Sequence, residues 1–302
     1  MTRAASAALG DWNPKPATLN MIGMAAEHID RLHAEGYTPT LRQIYYQMVR
    51  SNQIANSERS YKNLGNALNQ ARWAGMIDIY ALDDLGREAV RQISWRDPTH
   101  ALEWVSKIYR TDWWRDSDTR PEIWCEKQAL SSVLDPVARR NGVYYLACKG
   151  FVSLPAIAQA AERAEGHRSF GGASLRVLYL GDHDPSGIVM NGDIERRVEL
   201  LTDKIEIVRI AMTRDQVDEF DCPPQPAKLT DSRARDYVGR HGYESWELDA
   251  IQPSDLDALV QWWIDDMAPE SVQQRRDQDE ENFGMLEERI REMEDDWKTE
   301  LE

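Results

Sequence analysis

Four short apolar runs limit what this chain can fold into. EIWCE (122–126), VYYLACKG (143–150), LRVLYLGD (175–182) and KIEIVRIAM (204–212) each read as a buried strand, with helix-length stretches at 128–140, 153–165 and 186–201 between them. Strands that far apart do not close as hairpins. A crossover helix between successive strands makes the sheet mostly parallel, so the fold class is α/β. After Pro223-Pro224 the pattern loosens, and PSDLDALVQWWIDDM (253–267) reads as a further helix opened by a Ser254 cap.

The front of the chain is helical. Leu19, Ile22, Ala26, Ile29 and Leu32 recur at three- and four-residue spacing until Gly36 and Pro39 stop them. Thr40 and Gln43 form a capping box that opens LRQIYYQMVR, which ends near Ser51-Asn52. A third helix runs from about Glu58 to Ala74, with Leu64, Leu68 and Ala71 inward and Gly75 as its stop. Two short helices joined by a polar turn, followed by Ile77 and Ile79 as a wing, predict a CAP-like winged helix-turn-helix. The outer side of the third helix carries Arg59, Lys62, Asn63, Asn66, Asn69, Gln70 and Arg72. Long donors and amides at that spacing suit phosphate and base-edge contacts, though the same face could simply be solvated. Five basic residues against Glu58 alone between Thr40 and Met76 add weight to the first reading.

That local balance matters because the whole chain, 302 residues with a formal net charge of −16, is acidic enough to argue against nucleic acid. The charge is uneven: residues 1–150 carry 19 basic and 17 acidic side chains, residues 151–302 carry 17 and 35, and the last 52 carry 5 and 17. Only the front half suits a phosphate backbone. TDWWRDSDTRP (111–121) reads as a linker, which divides the chain into a winged-helix domain (1–115), an α/β domain (116–268) and an acidic helical tail (269–302). In the tail, Phe283, Leu286, Ile290, Met293, Trp297 and Leu301 form a narrow apolar seam, suited to packing on the body or on a second protomer. No stretch has the roughly 20 apolar residues of a membrane helix and the N-terminus lacks a signal-peptide core, so a cytoplasmic, membrane-free protein is expected. Cys125, Cys148 and Cys222 show neither CxxC spacing nor an even count, which excludes a disulfide framework.

Three carboxylates fall where strands end: Glu126 after EIWC, and Asp182 and Asp184 in LYLGDHDPSG. Strand C-termini of a parallel sheet share the edge where ligands bind. Carboxylates clustered there repel one another unless a hard cation joins them, and Mg²⁺ suits such oxygen ligands. The alternative is that Asp182 only caps the helix that Pro185 and Gly187 begin. A strand-terminal Glu, two βα units and a strand-terminal D-x-D-P-x-G resemble the Toprim domain of topoisomerases, primases and certain nucleases. Gly150 in the turn after the second strand fits the same pattern.

Arg42 precedes the pair Tyr45-Tyr46 by one helical turn and shares a face with Tyr46. A guanidinium there favours the phenolate and can steady a phosphate, whereas a bare aromatic pair is ordinary core. R-x-x-Y-Y in a winged helix upstream of a Toprim domain resembles the A subunit of topoisomerase VI and the meiotic double-strand-break transesterases, over residues 38–265. The stand-alone Mini-A-type proteins are the closest variety. The resemblance implies Mg²⁺-dependent double-stranded DNA cleavage in which Tyr46 forms a 5′-phosphotyrosyl link and Arg42 contacts the phosphate. Glu126, Asp182 and Asp184 would hold the metal, with Tyr45 as a packing residue. Arg59, Lys62, Asn63, Asn66, Arg72 and Lys127 are the expected DNA contacts; Lys127 and His183 flank the metal ligands and could touch phosphate or, equally, be solvent-facing spacers. The family further implies a homodimer in which the tyrosine of one protomer meets the metal of the other. No ATP-binding motif occurs, so strand passage would need a separate B-type ATPase subunit or another accessory protein. Two alternatives stay open: a Toprim hydrolase that cuts with water, and a non-catalytic DNA-binding or interaction module.

Overall fold

The computed structural model describes residues 12–78, 80–83, 94–166, 174–228 and 234–300. It begins with α1 (Pro16–Ala34), which buries Ile22, Ala25, Ile29 and Leu32. Leu19 stays 42% exposed, and Ala25 takes the inward place expected of Ala26, so the apolar stripe starts later and one position over. Gly36, at φ +90°, supplies the left-handed turn that ends it. In α2 (Leu41–Arg50) the capping box forms: the Gln43 amide donates to Thr40 Oγ1 at 3.3 Å and the Thr40 amide to Gln43 Oε1 at 2.7 Å. Ser57 caps α3 (Glu58–Trp73), whose Leu64, Ala67, Leu68 and Ala71 are buried. The expected wing is not formed among the described residues: 74–78 and 80–83 hold no strand, Ile77 is buried instead, and Ile79 lies outside the described residues. The sequence pattern did not indicate α4 (Pro98–Ile108), although Asp97-Pro98 places a capping acid before a proline at the first helical position.

The sheet consists of β1 (Thr119–Cys125), β2 (Tyr144–Ala147), β3 (Ser174–Leu180) and β4 (Ile205–Ala211), ordered β2-β1-β3-β4 with every pair parallel. The four apolar runs are therefore the four strands of an α/β sheet. Three helices make the crossovers: α5 (Ser131–Asn141), α6 (Leu154–Gly166) and α7 (Pro185–Glu199). One sheet face packs Ile123, Cys125, Leu178 and Leu180 on Val133, Leu134 and Val137 of α5, in a core that continues into α1, α2 and α3. The other face packs Trp124, Val177 and Tyr179 on Ile157 and Ala160 of α6 and Ile194 and Val198 of α7. The chain thus leaves β1 toward one face and β3, its neighbour, toward the other. That divergence makes a switch point at the strand C-termini, the place where sheets of this kind bind ligands.

Beyond β4 come α8 (Arg214–Glu219), an antiparallel pair of β5 (Gln225–Pro226) and β6 (Glu244–Ser245), and α9 (Ala234–His241) between those two strands. Helix α10 (Pro253–Met267) has Gln252 at its N-cap with no side-chain cap, so Ser254 does not fill that role; Pro253 at the first turn sets the start. Helix α11 (Glu270–Glu300) closes the described chain and lies along α4. Residues 111–118 lack helix and strand, as a linker would, but they are firmly packed. Trp114 is 1% exposed, and Asp279 of α11 accepts from the Thr111 amide at 2.6 Å and the Trp113 indole at 2.7 Å. Burying one such indole is worth roughly 2–3 kcal/mol, which anchors both the segment and the start of α11. Of the tail seam, Ile290 is buried, Phe283 and Leu286 are half-buried and Met293 is exposed. Among the described residues no helix is long and apolar enough to cross a membrane.

Candidate active site

Because Cys125 and Leu180 are the last paired residues of β1 and β3, Glu126 and Gly181 leave the sheet side by side at the switch point. The Asp182 amide donates to Glu126 Oε2 at 3.1 Å. Two glycines make room for that carboxylate. A Cβ on Gly181 would come within 3.0 Å of Glu126 Oε2, and one on Gly187 within 3.2 Å of it and 2.2 Å of the Asp182 carbonyl oxygen. Asp184, not Asp182, caps the following helix: its Oδ1 accepts the Gly187 amide at 2.6 Å. The D-x-D pair therefore splits its duties, since Asp182 turns inward. Its Oδ1 accepts the Leu248 amide at 2.8 Å and lies 2.8 Å from Lys127 Nζ. Burial, then the Asp182 charge, pushes the Glu126 carboxyl up to about 7. Burial also raises Asp182, with Lys127 pulling the other way. Behind the loop, the half-buried Arg209 guanidinium donates to the carbonyls of Gly181 at 2.9 Å and Asp182 at 2.6 Å and so fixes its path.

A second segment is strapped onto this edge. His183 and Trp246 exchange backbone hydrogen bonds of 2.9 and 3.0 Å, an isolated antiparallel bridge that carries Glu247 and Asp249 to the carboxylate edge. Lys127 stands among three acids: Asp182, Asp249 Oδ2 at 2.7 Å, and Glu247. Burial works against its charge, but Asp249, Asp182 and Glu247 outweigh that and hold the ammonium well above its ordinary value. Glu247 is held below the usual carboxylate range despite its burial, by Lys127 and Arg42.

Those same two acids reach α2. Arg42 Nε lies 2.8 Å from Asp249 Oδ2, and its Nη2 pairs with Glu247. One turn on, Tyr46 is 4% exposed and its hydroxyl accepts a hydrogen bond from the Gln225 side-chain amide. Burial raises the phenol far above its ordinary value and Glu247 adds to this, while Arg42 and Lys127 pull it down without prevailing. The expected bias toward phenolate is thus present in Arg42 but outweighed. Tyr45 packs edge-on against Tyr61, with its hydroxyl donating to Asn56 Oδ1 at 2.9 Å, as a structural residue does.

The structure therefore brings Arg42, Tyr46, Glu126, Lys127 and Asp182 into one neighbourhood and leaves the α3 residues elsewhere. Arg59, Lys62, Asn63 and Asn66 are exposed on α3, and Lys62 pairs with Glu58 at 2.7 Å. Lys62, Asn66, Asn69 and Arg72, with Leu41, Tyr61 and Gly65, line an open cavity of about 600 Å³. Two expected phosphate contacts are not open to phosphate here. Lys127 has a side chain only 13% exposed and bound to three acids. His183 is 3% exposed and hydrogen-bonded to the Tyr237 hydroxyl at 2.8 Å; burial lowers its pKa to about 4, which leaves it neutral.

Sequence reasoning missed Glu247, Asp249 and Gln225. The signal for the two acids was weak: in Trp246-Glu247-Leu248-Asp249, apolar and acidic residues alternate in a stretch that otherwise reads as loop. The donor chemistry suits a hard cation, since Glu126 and Asp182 contribute only oxygens and Asp249 Oδ1 is buried without a hydrogen-bond partner. Among the described residues, however, no three His, Cys, Asp or Glu side chains are gathered around one metal position. Comparison with protein-family models yields no match, and comparison with curated proteins yields none either.

Proposed function

We propose that this chain cleaves double-stranded DNA by tyrosine transesterification with Mg²⁺, in the manner of a topoisomerase VI A subunit, through a CAP-like helical domain and a Toprim domain. The observation that carries the reading is the unbroken ion-pair chain Arg42–Asp249–Lys127–Asp182. It joins the helix bearing Tyr46 to the carboxylate edge of the sheet.

In this mechanism the exposed face of α3 holds the duplex through Arg59, Lys62, Asn63, Asn66 and Arg72. Arg42 exchanges part of its pairing with Glu247 for a phosphate oxygen, which places the phosphorus one helical turn from Tyr46. The Tyr46 oxygen attacks, the P–O3′ bond breaks, the phenolic proton departs and the 3′-oxygen takes one up. The product is a 5′-phosphotyrosyl link and a free 3′-hydroxyl. Glu126 and Asp182, with Asp184 beside them, would hold Mg²⁺, which supplies charge neutralisation at the phosphate and the leaving oxygen. Lys127 holds Asp182 and Asp249 in register. Gln225 must release the Tyr46 hydroxyl before attack. A homodimer would make the paired cuts, and any strand passage would require a separate ATPase subunit.

The burial of Tyr46 favours a second reading, hydrolysis by water at the same edge with Tyr46 as core. One experiment separates the two. Supercoiled plasmid is incubated with the chain and Mg²⁺ and the reaction is stopped with denaturant. Transesterification predicts protein covalently attached to 5′ ends and complete loss of cutting in Tyr46→Phe. Hydrolysis predicts free 5′-phosphates and a Tyr46→Phe variant that still cuts.

A further inference from the structure

We infer that the hollow beside α3 receives an unpaired nucleotide, so that the substrate this chain prefers is a duplex carrying one unpaired base. This rests on the transesterase reading for α3 as the face that holds DNA, and it adds a base-binding site there.

The polar stripe of α3 is not a clear ridge. Helices α2 and α3 approach closely at Gly65, where a Cβ would come within 3.0 Å of Leu41 Cδ2. The middle of the stripe therefore borders a hollow of about 600 Å³, a size at which proteins hold small ligands. A helix that reads a paired duplex enters the major groove with its reading face foremost, and a concavity there meets no paired base that could fill it. An extruded base can.

The lining has the parts of such a site. Tyr61 contributes an aromatic ring, set in place by edge-on contact with Tyr45 at 5.3 Å between centroids. A ring of this kind stacks any base. Asn66 and Asn69 are exposed and one turn apart, and each amide offers a base edge both a donor and an acceptor. Lys62 and Arg72 border the same hollow about 15 Å apart along the helix axis, so that they can serve the phosphates on either side of the unpaired nucleotide. The lining thus carries two cations and, among the described residues, no acid, in a chain of net charge −16. That sign selects a polyanion over an apolar or basic partner.

Fluorescence anisotropy with three labelled duplexes of equal length tests this: one fully paired, one with a single-nucleotide bulge, and one whose bulged nucleotide lacks its base. Both bulges kink the duplex, so only a site for the base itself separates them. The wild type should bind the bulge with a base about fivefold or more tighter than either of the others. Asn69→Phe fills the hollow from an exposed helical position and should bring that ratio to about one, whereas Asn69→Ala leaves the hollow open and should lower it only in part. Equal binding of the two bulges by the wild type would overturn the inference, as would a preference that survives Asn69→Phe in a chain that melts like the wild type. Failure to bind any of the three duplexes would overturn it too, because α3 would then not hold DNA. Denaturant-trapped adduct is scored separately. Equal binding with adduct strikes the base site and leaves the transesterase reading; a base-dependent preference without adduct does the reverse.

Discussion

One glutamate sits in the middle of β1 and another directly follows its last residue, and the fold treats them in opposite ways. Glu122, 1% exposed, is fully matched: Arg163 grips it with two hydrogen bonds of 2.7 and 2.8 Å, and the Trp124 indole donates to it at 3.0 Å. Glu126, four residues on, has no ion pair among the described residues and leans on a single amide, with a second acid beside it. Both are partly or wholly buried carboxylates on one strand, so burial alone does not mark a site. What distinguishes them is that Arg163 pairs with Glu122, whereas Glu126 has no ion pair among the described residues and its burial, with Asp182 beside it, raises its carboxyl to about 7, a perturbation of the kind that functional acids carry.

Exchanging each for its amide should separate these roles. Glu126→Gln is expected to lower Mg²⁺-dependent cleavage by about 10²–10³-fold with no loss of stability, since it removes a charge the apo fold tolerates badly. Glu122→Gln should do the converse. It leaves Arg163 without a counter-charge and costs about 3 kcal/mol by urea unfolding, with cleavage per folded molecule unchanged. If Glu122→Gln impairs cleavage as strongly as Glu126→Gln, the contrast between the two glutamates is wrong.

The pH dependence follows from the same asymmetry. Glu126 is raised from an ordinary 4.5 to about 7, so between those values the folded, metal-free chain keeps a proton that the unfolded chain has lost. Stability in a chelator is therefore greatest below the unfolded value and falls as pH rises toward 7, by at most about 3 kcal/mol. Adding Mg²⁺ should flatten or reverse the fall, with affinity growing over the same interval as the proton is displaced. Unfolding midpoints at pH 5, 6 and 7, with chelator or Mg²⁺, measure both. A midpoint in chelator that climbs with pH would show that Glu126 does not dominate the edge.

How much of this was legible in the sequence depended on whether a residue acts through local or tertiary geometry. The capping box at Thr40 and Gln43, the inward stripe of α3 and the four strands follow from spacing, and they formed as read. The cap of α10 was misassigned to Ser254: Gln252 precedes a proline at the first helical position, which fixes the start more firmly than a nearby Ser does. Glu126 and Asp182 were legible because strand ends of a parallel sheet share an edge. Glu247 and Asp249 were not, because only the long-range bridge between His183 and Trp246 brings them there. Lys127 misled in the opposite sense: its position after a strand suggested exposure, whereas the same bridge surrounds it with acids.

The smallest expected effect tests the other half of the comparison, the cations. Arg42 and Arg59 lie on neighbouring helices, but Arg42 is committed to the buried Asp249 and the half-buried Glu247 while Arg59 is exposed on α3. An exposed arginine at a DNA surface acts mainly by displacing a counterion, so Arg59→Ala should weaken binding by a similar factor on every duplex. It should also reduce the slope of log affinity against log salt by about one. Asn66→Ala removes no charge, so it should leave that slope intact and alter only the ranking among sequences. Lys62 gives an internal control. Its pair with Glu58 is between two largely exposed side chains and is weakly held, so Glu58→Gln should free a cation and tighten binding slightly at low salt. If the slope does not move with Arg59 and Glu58, the duplex lies on another face. The 600 Å³ cavity beside α3 is then an ordinary surface hollow, and the ion-pair chain at Arg42 would have to guide DNA by itself.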